Sequence, residues 1–149
     1  MFCVIGPMIP CRQRGDMEMS PHRVPSIASP VIIVVDDDAA VRNSLKFSLE
    51  IEGFSVCTYS GPNEVLSGGA LPVSCCLIVD QNMPGMSGLS LLAMLRKRGV
   101  STPAILVSAH VTPSLKDEAA RAGLPVVEKP FLGNVLLDGI HAAITQDGH

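Results

Sequence analysis

The sequence is poor in aromatic residues, with no tryptophan, one tyrosine and four phenylalanines among 149 residues. A core built from this chain must rely on Val, Ile, Leu, Ala and Met, and a hydrophobic share of 47% makes such a core attainable. A strong charge of one sign is also lacking. The formal net charge is −3 and no basic stripe appears, which argues against nucleic acid as a partner. No uninterrupted apolar run approaches the roughly 18–20 residues that span a bilayer, so no membrane segment is expected. The start, Met1 to Pro10, has no basic opening and is broken by Pro7 and Pro10, a poor signal peptide. The five cysteines form no Cys-x-x-Cys pair and show no zinc-ligand spacing. Cys75 and Cys76 adjoin an apolar run and read as small hydrophobes, and a reducing, cytoplasmic compartment fits best.

What is present becomes regular only from Val31. Residues 1–29 are rich in proline and mixed charge without an apolar period, and are expected to form a disordered extension. The folded domain is expected over 30–146, leaving 147–149 as a tail. Val31 to Val35 is a β-branched run suited to a strand buried on both faces. Asp38 is placed to cap a helix in which Val41, Leu45 and Leu49 share a stripe, ending at Glu52-Gly53. Phe54 to Thr58 reads as a second strand, and a short helix follows from Pro62 to Leu66. Cys75 to Val79 is a third strand leading into Asp80. Leu89, Leu92 and Leu95 line the next helix. Ala104 to Val107, a helix over Pro113 to Ala122, a short strand at Val126 and Val127, and a helix from Phe131 to Ile144 with Leu132, Val135 or Leu136, and Ile140 inward complete the chain. Strand and helix alternate five times, which predicts an α/β domain around a parallel sheet. Periodicity alone does not fix the strand order.

The informative polar residues fall at strand carboxyl ends. Asp36 and Asp37 follow strand one, Asp80 follows strand three, Ser108 follows strand four, and Lys129 follows strand five. In an open α/β sheet these ends share one edge, where ligands bind. Three carboxylates, a hydroxyl and an ammonium would therefore converge. Such carboxylates repel one another unless a cation intervenes, and oxygen ligands with room for water suit Mg²⁺. A carboxylate can also attack phosphorus to give an acyl phosphate, with a metal and a lysine neutralising charge. Each residue alone has an ordinary reading: a helix cap, a turn, a surface lysine, a strand-end hydroxyl. Their joint placement is what points to chemistry.

Four segments in order then resemble one family, the response-regulator receivers, with the closest flavour that of FixJ-like receivers. They are Val34-Val35-Asp36-Asp37-Asp38, Asp80 to Gly88, Val107-Ser108-Ala109-His110 and Glu128-Lys129-Pro130-Phe131. The resemblance covers about Pro30 to Ile144. It implies a flavodoxin-like (βα)5 three-layer sandwich with parallel strand order 2-1-3-4-5. It implies Asp80 as phosphoacceptor, and Mg²⁺ held by Asp37, Asp80 and the backbone carbonyl of Asn82, with Asp36 helping through water. Ser108 and Lys129 would bind the phosphoryl group, and the Lys129-Pro130 bond would be cis. Gln81, Asn82 and His110 occupy positions the family uses to tune phosphoryl lifetime, although His110 also reads as a plain loop histidine. Since strand one ends at Val35, Asp36 and Asp37 are taken as the acidic pair and Asp38 as the cap.

The family usually places an aromatic three residues before the lysine, and here that residue is Val126. A valine has no large ring to rotate, so signalling is expected through the loop after Ser108 or through the fourth helix. The resemblance implies a sensor histidine kinase or histidine phosphotransfer protein as phosphoryl donor, with the downstream partner undetermined. The reading is a stand-alone receiver that catalyses only its own phosphorylation and dephosphorylation and is not otherwise an enzyme. Two rivals exist: a pseudo-receiver serving as a binding module, and a phosphatase of haloacid-dehalogenase type using Asp36 as nucleophile. The second fits poorly, because Ala40 stands where Thr or Val is expected and no late acidic pair follows.

Overall fold

Hydrophobic strands without polar interruption can be buried only if both faces of their sheet are covered, and the chain meets that demand with two helical layers. A computed structural model describes residues 30–131 and 134–147. The elements are β1 (Val31–Val35), α1 (Ala39–Ile51), β2 (Ser55–Tyr59), α2 (Pro62–Ser67), β3 (Cys76–Asp80), α3 (Gly88–Lys97), β4 (Ala104–Ser108), α4 (Pro113–Arg121), β5 (Val126–Glu128) and α5 (Val135–Asp147). All strand pairs are parallel and the order is β2-β1-β3-β4-β5, as the resemblance implied.

Alternation along each strand separates two cores. Ile33, Val35, Leu77, Val79 and Leu106 face one side, packed against Val65 of α2, Leu91 and Leu95 of α3, and Leu115 of α4. Ile32, Val34, Ile78, Ile105 and Val107 face the other, against Leu45 and Leu49 of α1 and Leu136 and Ile140 of α5. Cys76 belongs to this second core, and burial pushes its thiol up to about 12, consistent with a small hydrophobe. Val126 is partly buried against the first core.

Several boundaries differ from the sequence reading. The last helix starts at Val135 rather than Phe131, and it extends to Asp147 rather than Ile144. Phe131 packs on the second core from the preceding loop. Within α5 the inward residue is Leu136, while Val135 is 57% exposed. In α3 the buried stripe runs through Gly88, Leu91, Leu92 and Leu95, with Leu89 only partly buried. That is the i, i+3, i+4, i+7 pattern counted from Gly88, the true first residue of the helix. The expected extension over 1–29, the position of Leu132 and the last two residues of the expected tail lie outside the described residues. No helix among the described residues is long and apolar enough to cross a membrane.

Candidate functional site

The strand registers bring the polar ends to one edge. Asp80 is the last residue of β3 and pairs with Val107, and Ser108 is the last of β4 and pairs with Glu128. The Lys129 amide donates to the Ser108 carbonyl (2.8 Å), continuing that ladder one residue further. The Asp36 amide donates to the Tyr59 carbonyl (3.2 Å), so β1 is extended in the same way. The side chains of Asp36, Asp37 and Asp80 each offer an oxygen within 4.8 Å of the others. Asp36 and Asp80 are buried and Asp37 is exposed.

Lys129 ties the buried pair together. Its Nζ donates to Asp36 Oδ2 (2.9 Å) and to Asp80 Oδ1 (3.3 Å). The other Asp36 oxygen accepts from the Asp38 amide (2.9 Å), so both Asp36 oxygens are occupied. Arg42, which the sequence reading did not single out, donates from Nη1 to the Asp36 carbonyl (2.6 Å) and steadies the same turn. Asp38 caps α1, accepting from the amides of Ala40 and Val41. The Lys129-Pro130 peptide is cis.

Asp80 is less well served. It is 3% exposed, yet among the described residues Oδ1 has only the long lysine contact and a 3.4 Å contact from the Asn82 amide. Oδ2 takes no hydrogen bond from the described residues. Burial, then the charge of Asp36, hold the Asp80 carboxyl above its ordinary value, with Lys129 pulling the other way. Burial works against the Lys129 ammonium, but the hydrogen bond and charge of Asp36, followed by Asp80, outweigh it and raise the amine. A buried carboxylate oxygen without a donor, beside an exposed carboxylate with none, is a pocket that fits a hard divalent cation. The ligand atoms of this cluster are all oxygen, and Asp37 and the Asp80 Oδ2 are the carboxylate groups that take no hydrogen bond from the described residues and could hold Mg²⁺.

Ser108 is fully buried and already partnered. Its hydroxyl lies 3.0 Å from both Asn82 Oδ1 and the His110 carbonyl, and it accepts from the His110 amide (3.1 Å). His110 thus meets Ser108 through its backbone.

The model of the response regulator receiver domain matches residues 32–141. The chain belongs to that family. The transcriptional regulatory protein FixJ of Azorhizobium caulinodans is 36% identical over 112 residues, 74% of this chain and 53% of that protein. The receiver domain of the Francisella response regulator 1452 superposes with a TM-score of 0.73 at 27% identity, covering 80% of this chain and 99% of that one. The crystal structure of FixJ-N gives a TM-score of 0.71 at 31% identity, covering 80% and 96%. The chain spans about half the length or less of the curated relatives it matches.

The buried carboxylate of Asp80 gives a pH test. A carboxyl whose folded-state pKa lies above its unfolded value stabilises the fold below the unfolded pKa, near 3.9 for Asp, and that contribution is lost as pH rises through the folded value. Metal-free protein is therefore expected to lose stability relative to Asp80→Asn as pH rises from about 4 to neutrality. Urea unfolding of both proteins in chelator at the two pH values checks this. An equal difference at both would show that Asp80 ionises without penalty.

Proposed function

We propose that Asp80 accepts a phosphoryl group from a phosphohistidine of a sensor kinase or phosphotransfer protein. An oxygen of the Asp80 carboxylate forms the new O–P bond, the P–N bond to the imidazole breaks, and the departing nitrogen takes up a proton. The observation that carries this reading is the donor-free Oδ2 of a buried carboxylate, 3.3 Å through its other oxygen from the Lys129 ammonium. Lys129 neutralises charge on the transferring group, and Ser108 turns from its present partners to donate to a phosphoryl oxygen. Bound Mg²⁺ would supply further charge neutralisation from Asp37, Asp80 and the Asn82 carbonyl. The domain acts on itself alone, gaining and losing one phosphoryl group, in the cytoplasm. Output runs by protein contact through the loop after Ser108 or through α4, since Val126 offers no ring to rotate.

A phosphatase using Asp36 as nucleophile is disfavoured by the same geometry, because both Asp36 oxygens are committed to Asp38 and Lys129. Incubation with acetyl phosphate and Mg²⁺ is expected to add one phosphoryl group by intact mass, and Asp80→Asn is expected to abolish the adduct. Wild-type protein that stays unlabelled under these conditions would instead favour a binding module.

A further inference from the structure

One residue closes the loop that leaves β3. The Gln81 amide donates to the Val107 carbonyl (2.8 Å), and its own carbonyl accepts from the Gly88 amide (3.1 Å). Its side-chain Oε1 accepts from the Leu89 amide (2.9 Å). The opening turn of α3 presents amides at Gly88, Leu89 and Ser90 that have no partner inside the helix. Gln81 takes the first two, and Ser87 Oγ takes the third (3.1 Å). The segment Asn82 to Ser87 is thereby pinched at its base. Asn82 is the first residue beyond that pinch, and its amide lies 3.4 Å from Asp80 Oδ1. Apart from this long contact, its other hydrogen bond among the described residues is the side-chain contact with Ser108.

We propose that Gln81 is a positioning residue: its side-chain carbonyl, braced against α3, fixes the Asn82 peptide beside Asp80 and so sets the affinity for the divalent cation. This rests on the reading of the acidic pocket given above. It also gives Gln81 a different task from tuning phosphoryl lifetime, because its acceptor oxygen is committed to Leu89. The methylene stem alone cannot do this, since the Leu89 amide needs an oxygen in reach.

Titration calorimetry of the intact chain with Mg²⁺ tests the assignment, there being no tryptophan to report binding by fluorescence. Gln81→Met is expected to weaken Mg²⁺ about ten-fold, as loss of a group that orients a metal ligand commonly does. Gln81→Glu, which keeps an acceptor oxygen, is expected to restore most of that affinity. Ser87→Ala removes a cap from the same helix turn without touching the pinch, and is expected to change Mg²⁺ affinity by less than about two-fold while lowering stability. Labelling by acetyl phosphate is expected to need more Mg²⁺ in Gln81→Met yet to approach the wild-type rate at saturation. If Gln81→Met does not fold, Gln81→Thr, too short to reach Leu89, takes its place. Unchanged affinity in the folded variant, or an equal loss in Ser87→Ala, overturns the proposal. Wild-type protein that binds no Mg²⁺ overturns the pocket reading itself, and the role of Gln81 with it.

Discussion

Replacing Lys129 with methionine is expected to cost the metal-free protein about 3 kcal/mol of stability at neutral pH, a typical price for stripping the partner from buried charge. The ammonium is the group that Asp36 and Asp80 share, at 2.9 and 3.3 Å, and both acids are almost completely buried. Methionine keeps most of the stem volume, so packing is conserved and charge is removed. The sign with pH follows from Asp80. Its carboxyl is already held above its ordinary value by burial and Asp36, and loss of the lysine raises it further. The penalty should therefore be full at neutral pH and shrink as pH falls and Asp80 takes a proton. Urea unfolding at about pH 5 and pH 7 in chelator measures it. A loss of the same size at both pH values would mean that Lys129 acts through its stem. Labelling by acetyl phosphate should also slow by about a hundred-fold or more, the usual cost of removing one preorganised charge from a transferring group.

Gly88→Ala is expected to damage the same site by pure volume. Gly88 does not have a positive φ, so its conformation alone would accept any residue. Space is the constraint: a Cβ there would lie 2.5 Å from the Asp80 carbonyl oxygen and 2.8 Å from Leu106 Cδ1. A leucine methyl can rotate aside, whereas the carbonyl cannot move without moving Asp80. The expected cost is about 3 kcal/mol, at the upper end for overpacking. Phosphorylation should fall with it, since the acceptor backbone is what must shift. Urea midpoints and intact mass read the two effects. Wild-type stability together with wild-type labelling would show that α3 can slide to make room.

The fold and the acidic cluster were legible because each rests on a short, local signal. Continuous apolar strands announced a sheet covered on both faces, and the acids, the hydroxyl and the lysine stood at the strand ends. Asp38 was readable as a cap because capping is a two- or three-residue relation. The strand order came from the resemblance, since it is set by packing across the chain. The start of α5 was misread because Phe131 looks like a helical position but is used in a loop to cover the second core. In α3 the three expected leucines do meet the first core, and Leu91 was missed because the buried face is wider than one residue per turn. Gln81 bracing Leu89 and Arg42 holding the Asp36 carbonyl link residues eight and six apart through non-repeating geometry. No periodicity records such bonds. Gly88 was visible as a glycine in a motif, but the carbonyl that requires it belongs to another element.

The Ser108 hydroxyl has one proton and two acceptors within reach, Asn82 Oδ1 and the His110 carbonyl. If Asp80 accepts a phosphoryl group as proposed, its oxygens must compete with them for that proton. A hydrogen bond of about 1 kcal/mol corresponds to roughly a five-fold bias in populations. The resting state is then a weighted ratio set by Asn82 and the loop at His110. Removing the Asn82 side-chain oxygen would leave the His110 carbonyl as the one competing acceptor among the described residues, and so ease release of the hydroxyl. If Asp80 is the acceptor, Asn82 and the loop at His110 thus set how readily the Ser108 hydroxyl is released to meet the phosphoryl group.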